Sequence, residues 1–201
     1  MGVARAWLGA ALLAAIVVTA CAPATRLTAV WSTAGMPPRF DRIVVVGLSA
    51  SDTRRRALET ALTMRIEGAT SSQPLLSTEQ ALDRDQARAV VSPEQFDAAV
   101  MARFVAMDPR ATYVPGTTYW GPAPYASLWG YWTHGWTAVQ EPDYLHGAEL
   151  VALETNVYSV SSGELVWSSR SETISPLSID VMLESVVEST VRQLERRRVV
   201  P

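Results

Sequence analysis

A continuous run of β-branched residues is the feature that most constrains the fold. Ile43–Val46, "IVVV", is followed by a short turn and then by a helical pattern over Thr53–Glu67. Such a run is typical of a strand buried on both faces or nearly so. In the helical pattern, Leu58, Leu62 and Ile66 recur every four residues and form one apolar stripe. The domain therefore opens with a strand, a turn and a helix, the first part of a βαβ unit.

The segments after this strand extend the same alternation. Asp52 is the expected N-cap of the helix and Gly68 its C-terminal stop. Ala69–Leu76 can supply a short second strand, and Thr78–Val91 is predicted to be a solvent-facing helix. The turn "GLSASDTR" matches neither GxGxxG nor GxxxxGK, so a nucleotide is not the expected ligand.

Residues 97–107, "DAAVMARFVAM", carry two conflicting signals. Their alanine content favours a helix. Their alternation, with Val100 and Phe104 on one face and Met101 and Val105 on the other, favours a strand. We predict a strand, partly on a resemblance given below.

Two further alternating segments, "ELVALETNVYSV" and "ELVWSSRSETI", flank a three-residue loop at 161–163 that contains glycine. This pattern predicts an antiparallel hairpin. Leu165 and Trp167 are expected to point inward, and Arg170 and Glu172 outward.

The last element is a strongly amphipathic helix. Its apolar stripe recurs every three or four residues, at Ile179, Met182, Leu183, Val186, Val187, Thr190, Val191 and Leu194. With the preceding elements, it predicts an α/β (α+β) fold. We expect a two-layer sandwich, with a mixed β-sheet, helices on one face and a C-terminal amphipathic helix.

The N-terminus predicts the cellular location of the protein. Leu8–Val18 is an apolar run too short to span a bilayer as a permanent helix, but suited to a signal peptide. It ends in "VTAC", which looks like a bacterial lipobox, so residues 1–20 are the expected signal peptide and Cys21 the lipidated residue. Cleavage as an ordinary signal peptide is the alternative. Ala22, where many inner-membrane lipoproteins have Asp, favours the outer membrane, on its periplasmic face. Residues 21–40 are predicted to be a lipidated tether, and residues 41–198 a single domain.

Four stretches resemble a group of uncharacterised bacterial outer-membrane lipoproteins. They are "IVVVGLSASDTRRRALETAL", "DAAVMARFVAMDPRATYVPGT", "LETNVYSVSSGELVWSSRSET" and the last helix. The resemblance implies an α/β domain with a Tyr/Gly-rich insertion, similar to the lipoprotein domain of envelope assemblies such as the curli secretion channel. It also implies an envelope location, and it implies no activity.

The residues that could carry chemistry lack the spacing that chemistry needs. A formal net charge of -3, without a basic run before the last turn, does not favour nucleic acid as a partner. His134 and His146, with Glu141 and Asp143 between them, form no compact metal-ligand motif. The chain contains no G-x-S-x-G nucleophile elbow. We therefore expect no catalytic residues, no metal and no cofactor, and predict that the protein is not an enzyme.

Glu154 and Glu172, on the predicted strands, are candidates for the paired carboxylates of a glycoside hydrolase, since the distance between them depends on the fold. Glu154 and Glu172 have cross-strand partners in Arg103 and Arg170. A solvated sheet face carrying ion pairs is therefore preferred to a catalytic dyad.

A long aromatic connection, at about 112–146, is the candidate binding segment. Its glycines and prolines argue against regular helix or long strand, while its aromatic content argues against disorder. The rings could fold back on the sheet, bind an envelope protein, or contact the membrane interface or peptidoglycan. The candidate binding residues are Tyr119, Trp120, Tyr125, Trp129, Tyr131, Trp132 and Trp136. The sequence thus favours a lipid-anchored envelope accessory or scaffold that acts by binding, with an envelope hydrolase or a peptidoglycan-binding module as alternatives.

Overall fold

The computed structural model describes residues 25–33, 38–107, 126–139, 150–174 and 179–201. Within these ranges the strands are β1 (Thr25–Ser32), β2 (Ile43–Leu48), β3 (Ala69–Ser71), β4 (Ala98–Met107), β5 (Leu150–Ser159) and β6 (Leu165–Ile174). The helices are α1 (Asp52–Thr63), α2 (Thr78–Leu82), α3 (Arg84–Val90), α4 (Leu128–Val139) and α5 (Ile179–Arg196).

The strands form one mixed sheet in the order β1-β6-β5-β4-β2-β3. β2 pairs in parallel with β3 and β4, as expected for strands joined through helices. β4, β5, β6 and β1 pair antiparallel. The predicted fold class, an α/β (α+β) mixed sheet with a C-terminal amphipathic helix, is confirmed. The predicted hairpin is also present, and Gly163 adopts the positive φ of 71° that its loop requires.

β1 lies within the range that the sequence analysis assigned to a tether. It pairs antiparallel with β6 at the sheet edge, and the Thr25 and Thr173 hydroxyls hydrogen-bond at 2.8 Å. The prediction of an irregular tether over 21–40 is therefore wrong over this strand. A register shift between Leu27 and Ala29 breaks the two-residue period that would have revealed it. The sheet therefore includes a strand that lies before the predicted start of the domain at residue 41.

Two helices, α1 and α5, cover one face of the sheet. The first core between them and the sheet includes Ile43, Val45, Leu58, Leu62, Val100, Met182, Val186, Val187 and Leu194. Val199 and Val200 are also buried there, so the domain extends beyond the predicted residue 198. Among the described helices, none is both long and apolar enough to cross a membrane.

α1 differs from its prediction at both ends. Its N-cap is Ser51 instead of Asp52, since the Ser51 side chain accepts a hydrogen bond from the backbone N–H of Arg54. The helix ends at Thr63, four residues before the predicted Glu67. The chain then turns through Gly68, which has a φ of 75° and packs against the Asp41 carbonyl.

Three further helices, α2, α3 and α4, add a partial layer on the other face, where the predicted two-layer sandwich had no helices. The second core there includes Val44, Val46, Ala81, Ala87, Met101, Leu128, Tyr131, Trp132 and Trp136. The single helix predicted over 78–91 is broken at Asp83, which ends α2 and caps α3. One Asp83 side-chain oxygen accepts from the backbone N–H groups of Asp85 and Gln86, holding its own backbone extended.

β4 confirms the prediction of a strand at residues 97–107. Its alternate residues are buried on opposite faces, with Val100 in the first core and Met101 in the second. Ala98, Ala99 and Ala102 are all completely buried. A central strand between two helical layers needs small side chains on both faces, and this explains its alanine content.

Several strands begin or end together at one end of the sheet. Met107 is in register with Leu150, Leu150 with Ile174, and Thr25 with the neighbouring Thr173. We call this end, formed by these five residues, the entry edge. β4 therefore ends, and β5 starts, at the end of the sheet where β1 begins.

α1 and α5 run parallel to each other, away from the entry edge. α1 follows the end of β2 and leads to Gly68, whose carbonyl accepts from the backbone N–H of Ile43 at the start of β2. α5 follows β6 and leads to Val199, whose carbonyl accepts from the backbone N–H of Phe40. Both helices thus end near the start of β2, at the end of the sheet opposite the entry edge.

Candidate functional site

The described part of the aromatic segment forms α4, which the sequence analysis did not expect. Two glycines in a helix interior each cost about 1 kcal/mol relative to alanine. Leu128, Tyr131, Trp132 and Trp136 nevertheless fall on one helical face, and each is at most 3% exposed. Burying such side chains gains about 1.5–3 kcal/mol each, which exceeds the cost of the glycines. The prediction of no regular helix in this segment is therefore wrong over α4.

Close contacts hold α4 against the sheet and its neighbouring helices. Gly135 packs against the Leu48 side chain so tightly that a β-carbon there would overlap it. The Trp132 indole N–H donates to the Ala81 carbonyl of α2 at 2.8 Å. The Arg88 guanidinium of α3 lies 5.0 Å from the Trp129 ring centroid, within cation–π distance. α4 is thus an integral part of the second layer.

Beneath α4, a buried polar cluster forms around Glu154. Glu154 is 1% exposed, and its carboxylate accepts from the Tyr131 hydroxyl at 2.8 Å and from the Asn156 amide at 3.0 Å. The Arg103 guanidinium donates to its other oxygen at 3.1 Å. Ser168 donates to the Asn156 side-chain oxygen and extends the cluster to β6. Both carboxylate oxygens are therefore satisfied, as a buried charge requires.

The chemistry available to this cluster is limited by burial. Burial and the adjacent Glu154 carboxylate raise the pKa of Tyr131 well above its ordinary value, although Arg103 opposes the shift. Tyr131 therefore remains a neutral hydrogen-bond donor, and Glu154 is held as an acceptor by three neighbours. The arrangement suits a structural ion pair that positions α4 on β5.

The predicted cross-strand pair of Arg103 and Glu154 forms, whereas Arg170 and Glu172 share one strand, and the prediction that this sheet face is solvated is wrong. Arg103 and Glu154 pair across β4 and β5 at 3.1 Å. Arg170 faces Glu154 in register and lies 3.8 Å from Glu172 on its own strand. All four residues are at most 9% exposed. For Glu154 the covering element is α4, the layer that the sequence analysis missed.

A second buried charge network was missed entirely. Arg55 and Glu59, one turn apart on α1, pair at 3.0 Å with both side chains 1% exposed. Glu59 also accepts from the Gly47 backbone N–H and the Ser72 hydroxyl, and Arg55 donates to the Leu76 carbonyl. The network ties β2, α1 and the chain after β3 together. Its one sequence signal was the i,i+4 spacing, which is also common on solvated helix faces.

The predicted binding residues separate into two groups. Tyr131, Trp132 and Trp136 are buried in the second core, and Trp129 is half-buried beside Arg88. For the three buried rings, the alternative in which the segment folds back on the sheet describes what is seen. Tyr119, Trp120 and Tyr125 lie outside the described residues, as does the lipidation candidate Cys21.

The histidines do not assemble a metal centre in the described part of the chain. His134 lies half-buried on α4, while His146, Glu141 and Asp143 lie outside the described residues. No group of three or more potential ligands comes together among the residues that were described.

An open groove of about 630 Å³ lies between α1 and α5, on the side away from the sheet. Its apolar lining includes Ala57, Ala61 and Val187, and Met64 at one end is 79% exposed. The α1 side also carries two arginines, Arg56 and Arg65, and the α5 side carries Glu184. The groove is thus apolar along its length and oppositely charged on its two sides.

Comparison with known proteins gives a distant structural likeness. No protein-family model and no curated protein matches the sequence. Among solved structures, a variant PelC dodecamer from Paraburkholderia phytofirmans matches at a TM-score of 0.40 and 13% identity, covering 89% of this chain and 99% of that chain. A second PelC dodecamer structure from the same organism matches at 0.38 and 13% identity, covering 86% and 99%.

Proposed function

We propose that this chain is a lipid-anchored protein of the outer membrane, facing the periplasm, that acts by binding as an accessory or scaffold. The observation that carries the proposal is the position of Cys21, at the end of "VTAC" and four residues before β1 begins. Four residues of extended chain reach about 14 Å. An acylated Cys21 would therefore hold the entry edge close to the membrane surface.

The candidate binding residues that are not part of α4 lie in the segment that follows the entry edge. Segment 108–125 follows Met107 on the entry edge and contains Tyr119, Trp120 and Tyr125. Tyrosine and tryptophan supply large contacts with few rotatable bonds, which suits protein interfaces. We therefore assign binding of another envelope protein to these three residues and remove the buried rings of α4 from the binding surface.

The proposed lipidation and location are tested by labelling cells with radioactive palmitate and fractionating their membranes. We expect label on the wild-type chain and its recovery in the outer membrane. Cys21→Ser should abolish both the label and membrane recovery. Secretion of an unlabelled wild-type chain into the soluble periplasm would support the ordinary signal peptide instead.

The binding role is tested by placing a photo-crosslinking amino acid at Tyr119, Trp120 or Tyr125. The matched control is Tyr131, which is buried in the second core. A discrete protein adduct at the first three positions and none at Tyr131 is the expected result. Adducts with peptidoglycan fragments would favour the glycan-binding alternative. Cleavage of peptidoglycan by the purified protein would favour the hydrolase and overturn the proposal.

A further inference from the structure

The groove between α1 and α5 leaves apolar surface exposed on an otherwise charged face. Ala57 and Ala61 are half-buried, and Met64 is 79% exposed. Leu183 and Val187 form its α5 side and are already buried against α1 and the sheet. Methionine is flexible and well suited to adapt to an apolar partner. These features describe a contact surface for another pair of helices.

We propose that this groove joins two copies of the chain, through a two-fold axis that runs parallel to α1 and α5. Such an interface uses the same patch on both copies, so the patch must complement itself. Charge and the position of the membrane anchor both favour this axis. The anchor's contribution rests on the proposed lipidation of Cys21.

The charges on the two sides of the groove favour this axis. A two-fold axis parallel to the helices places α1 of one copy over α5 of the other. Arg56 and Arg65 of each copy then face the side that carries Glu184 of its partner. The perpendicular axis in the same plane would place α1 over α1 and bring arginines together, which is unfavourable. The groove is therefore complementary to itself in one of the two orientations.

The membrane anchor selects the same axis independently. Both helices begin near the entry edge and end at the opposite edge of the sheet, as the backbone contacts of Ile43 and Phe40 show. Rotation about an axis parallel to the helices leaves both entry edges at the same end of the dimer. Both acylated Cys21 residues can then enter one membrane. The perpendicular axis would place the anchors at opposite ends.

The size of the surface predicts a weak dimer that depends on the membrane. α1 has 12 residues and α5 has 18, which gives lengths of about 18 Å and 27 Å. Two helices side by side are roughly 20 Å wide, so the footprint is about 400 Å² per copy. Standard interfaces bury about 800 Å² per partner. Anchoring both copies in one membrane raises their effective concentration and offsets this small area.

The first test is cross-linking of the full chain in isolated envelope membranes, with a short bifunctional thiol reagent. Ala61→Cys or Met64→Cys places a thiol in the groove, and Glu79→Cys places one on the exposed surface of α2, on the other face. We expect a cross-linked dimer from the two groove variants and none from Glu79→Cys. The wild-type chain controls for any cross-linking through Cys21. Thermal unfolding of each variant confirms that it is folded.

The second test reverses the charges on the two sides of the groove in the Ala61→Cys background. Arg56→Glu and Glu184→Arg should each reduce the cross-linked fraction several-fold. Their combination restores opposite charges across the axis and should restore most of the cross-linking. Recovery in the double variant would not occur if either change acted only by damaging its own helix.

Failure of the dimer and failure of the anchor are distinguishable. Membrane-bound groove variants that cross-link no better than Glu79→Cys would overturn the dimer and leave the anchor intact. If the chain is instead found in the soluble fraction, the anchor is wrong. Cross-linking of the purified full chain at high concentration then decides the dimer, and its absence there overturns it.

Discussion

Two Arg–Glu pairs with the same i,i+4 spacing lie on helices of this fold. The Arg55–Glu59 pair on α1 has side chains 1% exposed, while the Glu188–Arg192 pair on α5 is about half exposed. Removal of one partner from a buried pair leaves an uncompensated charge out of water. Removal of one partner from an exposed pair leaves a charge that water solvates. The two pairs therefore provide a matched comparison within one molecule.

Glu59→Ala should lower the free energy of unfolding by about 3–5 kcal/mol, because it leaves Arg55 buried and unpaired. Glu188→Ala should change it by no more than about 0.5 kcal/mol. Urea denaturation of the mature protein, followed by circular dichroism, measures both. Similar losses in the two variants would show that the Arg55 network contributes no more than a surface pair.

Tyr131 predicts how stability responds to alkaline pH. Burial and Glu154 raise its pKa in the folded state above the unfolded value of about 10. As pH rises above about 10, the unfolded chain loses this proton while the folded chain retains it. The contribution of Tyr131 to stability is thus complete below that pH and declines above it.

Comparison with Tyr131→Phe isolates this effect from the other tyrosines. At neutral pH the variant should be less stable by about 1 kcal/mol, because it lacks the hydrogen bond to Glu154. As pH rises above about 10, the wild type should lose stability more steeply, and the difference should narrow. Parallel stability curves for both proteins from pH 8 to 11 would contradict the assignment.

How much of the site could be predicted depended on whether its residues had local signals. Arg103 and Glu154 could be paired from the sequence because strand alternation places them on facing positions. The role of Tyr131 could not, since it requires the packing of α4 on β5. Arg55 was missed because periodicity reports apolar side chains, while its burial depends on acceptors from its own helix and from the chain after β3.

At the scale of elements, α4 shows how tertiary burial overrides local propensity. Gly130 and Gly135 weaken the helix, yet Gly135 also admits the Leu48 side chain of β2. The glycine that argued against a helix in the sequence is thus what lets this helix approach the sheet. Propensity alone cannot distinguish these two roles, because the second depends on a residue more than 80 positions earlier.

Gly135→Ala should destabilise the protein, although alanine is the better helix former. The helix gains about 1 kcal/mol in propensity, but overlap with Leu48 costs typically 1–3 kcal/mol. Leu48→Ala removes the overlapping side chain. In that background Gly135→Ala should be neutral or stabilising, and a double-mutant cycle on the free energies of unfolding measures the coupling. Additive effects would place the cost of the alanine elsewhere.

At the scale of the whole molecule, the sequence predicted the central elements better than the outer ones. β4, the β5–β6 hairpin and α5 carry strong periodic patterns because one or both of their faces are buried in a core. β1 is held mainly by backbone pairing at an edge, where side-chain periodicity is weak. In the layer of α2, α3 and α4, the first two helices have too few turns to display a stripe, while α4 was missed because its glycines argued against a helix.

The two parts of the aromatic connection should contribute very differently to the stability of the whole domain. Deletion of residues 126–139 removes α4 and four large side chains of the second core. At about 1.5–3 kcal/mol each, their loss approaches the total stability of a typical domain. Cooperative unfolding should therefore disappear.

Shortening the connection within 111–123 provides the matched deletion, since it removes no described residue of α4 or of either core. Loop closure varies slowly with length, so stability should change by less than about 1 kcal/mol. Tryptophan emission should remain blue-shifted, because Trp132, Trp136 and Trp167 stay buried. Under the proposed function, this variant should fold normally and still lose the envelope-protein adduct that a crosslinker at Tyr125 forms. If it instead loses cooperative unfolding, residues 111–123 belong to the core, and the binding role assigned to Tyr119 and Trp120 is wrong.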